Sequence, residues 1–242
     1  MFGLLGDRQS LEERVSHVRR LLAAIEKNHS PTVLASSFGA EDMVLLDLIA
    51  RDGLGIPIFT LDTGRLPAET HNLIARVRKD YGIEINVYAP WPDSVAAYVE
   101  DHGIDGFYDG IDQRKACCNV RKVEPLRRAL AGKRGWITGL RREQSDTRAE
   151  VPEADRDLAT GKWKFNPLAD WSDADVWTYL RENGVPYNRL HDRGYPSIGC
   201  EPCTRAVKPG EHPRAGRWWW EQEGARKECG LHAIPVRIEV AA

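Results

Sequence analysis

Thr32-Val33-Leu34-Ala35-Ser36-Ser37-Phe38-Gly39-Ala40-Glu41-Asp42-Met43-Val44-Leu45-Leu46-Asp47 is the stretch that decides the fold. Residues 32–35 form a short apolar run of strand length, and residues 36–42 interrupt it with hydroxyls, a glycine and two carboxylates. A helix from 41 to about 51 follows at once. Strand, tight turn and helix in immediate succession are the repeating unit of a parallel sheet. The turn is also suited to an anion. A helix N-terminus carries unpaired N–H groups and the positive end of a dipole, Ser36 and Ser37 add hydroxyl donors, and Gly39 lets the backbone approach closely. Turns of this composition also cap helices with no ligand present, so the motif gains weight only from its surroundings.

Working outward, Ser10 and Glu13 form a capping-box pair that opens a helix to about residue 28, with Leu11, Val15, Val18, Leu22 and Ile25 on one face. Residues 56–61 read as a strand ending in Asp62-Thr63-Gly64. Pro67 starts a helix to about 79, residues 85–88 are strand-like, and 93 to about 101 are helical. A single helix is expected from about 113 to 130, then a strand over 135–140 followed by Arg141-Arg142-Glu143-Gln144-Ser145. Ser172 caps a helix to about 183 with Trp177 on its apolar face, and from Tyr187 onward glycine and proline dominate. The pattern is α/β: a mostly parallel sheet with helices on both faces, plus a loop-rich C-terminal extension. Ligands of such sheets sit outside the carboxyl ends of the strands. Three strand ends, 36–42, 61–65 and 138–145, therefore bring hydroxyls, glycines and guanidinium groups to one rim. An anionic nucleotide explains that convergence best.

Composition bounds the class. The 242 residues are 42% hydrophobic and 29% charged, the ordinary globular range. Thirty-four Lys and Arg against 36 Asp and Glu leave a net charge of -2, which argues against a general nucleic-acid binder. No run approaches the about 18 apolar residues of a membrane span, Asp47 breaking the best one, and Asp7 and Arg8 interrupt any signal peptide. A cytoplasmic protein with no membrane or nucleic-acid partner is expected. The five cysteines divide into four and one. Cys200-Glu201-Pro202-Cys203 has a metal-ligand spacing, and Cys117-Cys118 supplies two more thiols. Tetrahedral zinc and an iron–sulfur cluster both remain open. Cys229 stands alone as a reactive-thiol candidate. Lys227 and His232 would lower its pKa, and Glu228 opposes them.

Taken together, Cys117-Cys118-Asn119-Val120-Arg121-Lys122, Cys200-Glu201-Pro202-Cys203 and Glu228-Cys229-Gly230-Leu231-His232 resemble the assimilatory adenylyl-sulfate (APS) reductases. These are the iron–sulfur-containing branch of the family that also includes phosphoadenylyl-sulfate (PAPS) reductases. The resemblance runs from about Ser30 to His232. It implies an adenine-nucleotide α-hydrolase-like sheet and one [4Fe-4S] cluster on Cys117, Cys118, Cys200 and Cys203. It implies reduction of APS to sulfite and AMP in sulfate assimilation and cysteine biosynthesis, with Cys229 as nucleophile, a cysteine S-sulfonate as intermediate and thioredoxin as reductant. By position, Ser36, Leu61, Thr63, Gly139 and Arg148 would line the nucleotide. Lys122, Arg214 and Arg217 would surround sulfate and phosphate, and His232 joins the catalytic group. The chain departs from some members at Ser37-Phe38-Gly39, where they have Phe-Ser-Gly.

Three alternatives compete with this reading: a PAPS reductase, an ATP-dependent tRNA-thiolation enzyme, and a non-enzymatic iron–sulfur sensor. The second predicts a Ser-Gly-Gly-x-Asp turn that this chain lacks, and the third leaves Cys229 without a task. A homo-oligomer is compatible with all of them. Because Cys229 must meet both a nucleotide and a folded reductant, residues 1–206 are expected to form one α/β domain and 207–242 a mobile arm. Gly210, Gly216, Gly224 and Gly230 would be its hinges, and Trp218-Trp219-Trp220 would dock it.

Overall fold

The computed structural model describes residues 10–221. Helix α1 (Leu11–His29) begins at the expected capping box: the Glu13 N–H donates to Ser10 Oγ at 3.3 Å, and the Ser10 N–H donates to the Glu13 carboxylate at 2.8 Å. There follow β1 (Thr32–Ala35), α2 (Ala40–Arg51), β2 (Ile58–Leu61), α3 (Ala68–Tyr81), β3 (Ile85–Tyr88) and α4 (Pro92–His102). The second half carries α5 (Ile111–Cys118), α6 (Glu124–Ala129), β4 (Gly135–Ile137), β5 (Ala154–Arg156), β6 (Trp163–Phe165) and α7 (Asp173–Glu182).

The six strands lie in the order β3-β2-β1-β4-β6-β5, with every neighbouring pair parallel except the antiparallel β5–β6. From β1 the chain builds outward through β2 and β3, then returns to place β4 on the other side of β1. That reversal opens a crevice at the carboxyl ends of β1 and β4, where the loops diverge. The period-two alternation of the strands feeds two cores. Leu34, Ile58, Ile85 and Ile137 face α1, α2 and α7, while Val33, Phe59 and Trp136 face Leu126, Ala129 and Leu130 at the end of α6. A buried carboxylate is tolerated in the larger core because its acceptor capacity is used. Asp47 receives the hydroxyls of Tyr81 at 2.7 Å and Tyr179 at 2.6 Å and Arg51 Nε at 2.8 Å, tying α2 to α3 and α7.

Three details differ from expectation. The helix read over 113–130 is broken into α5, a π-helical turn (Asn119–Val123) and α6. Pro125 has no N–H to give and its ring crowds the carbonyl of residue 121, so the ladder widens and the Glu124 N–H reaches back to the Asn119 carbonyl. The strand read over 135–140 ends at Ile137. The β5–β6 hairpin was not anticipated, because three-residue strands are too short to show a period. Among the described residues no helix is long and apolar enough to cross a membrane.

Candidate functional site

The turn after β1 is held by its own side chains. Phe38, a buried non-glycine residue, sits at φ 60° in the left-handed region, which fixes the chain reversal. Its N–H donates to Ser36 Oγ at 3.2 Å. The Ser37 N–H and hydroxyl both donate to the Asp42 carboxylate, at 2.6 and 2.7 Å. The two serines are therefore not equivalent: the Ser37 hydroxyl is committed inside the turn, and only Ser36 is placed to donate to a ligand. Burial pushes the Asp42 carboxyl up to about 6, against the Ser37 hydrogen bonds that lower it. Gly139 completes the seam from the β4 side. A Cβ there would lie 2.6 Å from Asp42 Oδ1 and 2.8 Å from Glu41 Cβ, so only glycine lets the end of β4 meet the N-terminus of α2.

A cleft of about 790 Å³ opens over this seam, within the size range of small-molecule sites. Ser36, Leu61, Thr63, Gly139 and Arg148, expected from the sequence to line a nucleotide, all line it, and so do Lys122, Arg214 and Arg217. Arg148 is nearly buried and donates from Nη1 to Gln144 Oε1 at 2.5 Å, while Gln144 Nε2 donates to the Gly139 carbonyl at 3.2 Å. The 141–148 loop is thereby pinned to the end of β4. Arg141, which the sequence placed on the rim only within the 138–145 stretch, and His191 were not assigned as individual site residues. Arg141 is buried between Glu41 (2.8 Å) and Asp173 (3.2 Å), and its position directly after a strand was the available signal. His191 stands edge-on to Trp177 with ring centroids 5.1 Å apart, and burial lowers its pKa; nothing around it forms a motif.

Beside the cleft lies a second, enclosed hollow. Cys117, Cys118, Cys200 and Cys203 all border it as free thiols, together with Arg65, Arg121, Lys122 and Arg217. The loop after β2 joins the two thiol pairs. Thr63 Oγ1 is 3.2 Å from Cys200 Sγ, the Thr63 carbonyl accepts from Arg121 Nη1 at 2.8 Å, and the Glu201 N–H donates to the Arg65 carbonyl at 2.8 Å. Burial raises the Cys117 thiol and pushes Cys203 up to about 12. Burial acts on Cys200 in the same direction, but Lys122, the Thr63 hydrogen bond, Arg217 and Arg121 together bring its pKa below the ordinary value. Among the described residues no three His, Cys, Asp or Glu side chains are grouped as ligands of a single metal ion. The donor set suits a thiolate-held group: four soft sulfurs enclosed together and cations placed to offset their charge. Arg65 and Arg121 were not singled out as site residues from the sequence, although Arg121 lies four positions after Cys117 and so on its helix face.

Lys122 and Arg217 border both spaces. The described part of the segment expected to move, 207–221, is docked here. Arg217 bridges Thr204, and the Trp218 N–H donates to the Cys203 carbonyl at 3.2 Å. Gly216, expected as a hinge, permits the close passage of the Arg205 carbonyl. Cys229, His232, Gly224 and Gly230 lie outside the described residues.

Residues 31–206 match the family model of the phosphoadenosine phosphosulfate reductase domain. The chain is 56% identical over 223 residues to the adenosine 5′-phosphosulfate reductase of Allochromatium vinosum, covering 92% of this chain and 87% of that one. It is 54% identical over 237 residues to the protein of the same name from Burkholderia cepacia, covering 96% and 94%. Among solved structures, phosphoadenylyl-sulfate (PAPS) reductase from Candida auris in a phosphate complex superposes with a TM-score of 0.68 at 26% identity, over 85% of this chain and 100% of that chain.

Proposed function

The chain belongs to the phosphoadenosine phosphosulfate reductase family, and from that premise we propose how its two adjoining spaces divide the work of reducing adenosine 5′-phosphosulfate (APS). Its fold is adenine-nucleotide α-hydrolase-like, and it is an oxidoreductase of sulfate assimilation that takes APS and yields AMP. The observation that carries the proposal is the shared wall. Lys122 and Arg217 face the nucleotide cleft on one side and the cysteine hollow on the other.

In this reading AMP lies along the ends of β1, β2 and β4, with Ser36, Leu61, Thr63, Gly139 and Arg148 against it. The sulfate end points toward Lys122, Arg214 and Arg217. The Cys229 thiolate attacks sulfur, the bond between sulfur and the phosphate oxygen breaks, and AMP departs with the electron pair as a stable anion. Cys229 is left as an S-sulfonate. The three cations hold oxygens whose charge grows as that bond breaks, a preorganised electrostatic contribution. His232 follows Cys229 by three residues and is assigned to the thiol's protonation. Thioredoxin then attacks the Cys229 sulfur with one thiolate and releases sulfite, and its second cysteine resolves the mixed disulfide. The dithiol supplies both electrons and Cys229 is regenerated. No other cysteine of the chain takes the place of that external thiol in this reading, because the remaining four line the hollow.

Cys117, Cys118, Cys200 and Cys203 would hold one [4Fe-4S] cluster, which when bound supplies a local charge and a cross-link between α5 and the 200–203 turn. Residues 1–206 are assigned as the nucleotide-binding domain and 207–242 as the arm that presents Cys229, with the cytoplasm as the compartment that supplies thioredoxin. The deciding experiment measures sulfite release from APS and from PAPS with reduced thioredoxin. A kcat/KM at least tenfold higher for APS is expected, together with loss of turnover in Cys229→Ser. Undiminished turnover in Cys229→Ser would remove that residue from the chemistry.

A further inference from the structure

One buried ion pair joins the helix that bears two of the clustered cysteines to the chain just before Cys229. Arg114 in α5 and Glu221 are both almost fully enclosed, their side chains 1% and 3% exposed. Arg114 Nε donates to Glu221 Oε1 at 2.5 Å, and Nη2 donates to Oε2 at 3.3 Å. The flat guanidinium also stacks on the Trp218 ring, 4.6 Å from its centroid, and Arg217 lies against the same ring at 4.8 Å. Trp218 is itself buried and held at φ 43°, a conformation a tryptophan keeps only when its surroundings impose it. Arg114 and Trp218 both border the cysteine hollow, and Arg114 precedes Cys117 and Cys118 by three and four residues, one turn of helix.

Stability alone explains this arrangement poorly. Enclosing two charges costs several kcal/mol per ion, and an apolar pair of similar volume often serves a core as well or better. What an ion pair adds is direction, since the planar fork accepts the carboxylate in few orientations. From Glu221 to Cys229 the chain runs eight residues, at most about 29 Å when extended. Fixing the origin of so short a segment restricts where its thiol can go, and proximity of that kind raises the rate of attack on a bound partner.

We propose that Arg114 and Glu221 are positioning residues for the first chemical step, setting where the Cys229-bearing segment leaves the domain and tying that point to the cysteine-bearing helix. The proposal rests on the reading of Cys229 as the nucleophile. Its test follows a single turnover of APS without reductant and quantifies the Cys229 S-sulfonate by mass spectrometry. AMP affinity is measured in parallel for the parent, Glu221→Gln and Glu221→Asp. Glu221→Gln, which keeps shape and removes charge, slows S-sulfonate formation at least tenfold with AMP affinity within twofold of the parent. Glu221→Asp, which keeps the charge and shortens the reach, lies between. Unchanged S-sulfonate formation in Glu221→Gln overturns the proposal, as does an equal loss of AMP affinity and reaction in both variants, the mark of a structural role. A parent protein that forms no S-sulfonate on Cys229 overturns the nucleophile assignment itself, and is told apart because it needs no variant.

Discussion

At the scale of single residues, Lys122 and Asp42 make contrasting predictions. Lys122 borders both the cleft and the hollow, and it is among the groups that depress the Cys200 thiol. If its charge is spent on the breaking bond, Lys122→Ala lowers kcat/KM by about 10²–10³. Iron content, assayed on the same preparation, stays near the parent's, and AMP affinity falls by about tenfold at most, far less than kcat/KM, because AMP lacks the sulfate. A kcat/KM within threefold of the parent would demote it to a wall residue. Asp42 acts on stability, through pH. Its folded-state pKa of about 6 lies above the ordinary carboxylate value because of burial. Below about pH 4 the carboxyl is protonated in both the folded and unfolded chain. Between about pH 4 and 6 the folded chain holds a proton that the unfolded chain has released, so stability falls as pH rises through that window. Asp42→Asn keeps an oxygen for the two Ser37 donors and abolishes the titration. It is expected to melt above the parent at pH 7.5, by roughly 2–3 kcal/mol, and to lose that advantage by pH 4, read from thermal melts at the two pH values.

At the scale of elements, the seam between β4 and α2 is a close joint beneath the cleft. Gly139→Ala places a methyl against Asp42, Glu41 and the Asp42 backbone nitrogen at 3.2 Å, so strand end and helix must part. Overpacking of this kind costs about 1–3 kcal/mol. AMP affinity should fall by more than tenfold, because Ser36 and Arg148 are set on the two sides of the joint; calorimetric titration beside a thermal melt checks both. This joint also shows how far the sequence can be read. The capping box at Ser10, the β1 bounds and the turn of 36–42 were legible because each depends on neighbours within a few residues. The cleft residues Ser36, Leu61, Thr63, Gly139 and Arg148 were placed together through motif resemblance and the rule that ligands gather at strand ends. The burial of Arg141, the place of His191 and the Arg114–Glu221 pair were not legible. The distant partners that enclose Arg141 and Arg114 lie 30 and 107 positions away in the chain, Trp171 and Glu221, and no local pattern encodes such a meeting. The π-helical turn was missed for a related reason: periodicity across 113–130 is helical throughout, and only the consequence of Pro125 for the ladder interrupts it.

At the scale of the whole molecule, the cysteine hollow is a joint between elements that the sheet does not connect. Two thiols come from α5 and two from the 200–203 turn, and that turn is also held by Thr63, Arg65, Tyr108, Trp218 and the bridge from Thr204 to Arg217. Burial keeps the Cys203 thiol protonated through neutral pH, its pKa pushed up to about 12. A group that binds all four as thiolates would reverse this, draw the two elements together and set negative charge beside Arg65, Arg121, Lys122 and Arg217. Protein purified without oxygen should be brown, with about four irons and about four sulfides per chain, and Cys200→Ala should lose both together. Because Lys122 and Arg217 form the wall common to hollow and cleft, stripping the iron should also weaken AMP binding about tenfold or more and lower the melting temperature. Titration of AMP into loaded and stripped protein decides the point. Equal affinities would mean that the two spaces are mechanically independent. A colourless protein carrying one zinc per chain would replace the cluster with a single ion on the same four sulfurs, and would leave the cross-link argument standing on a different metal.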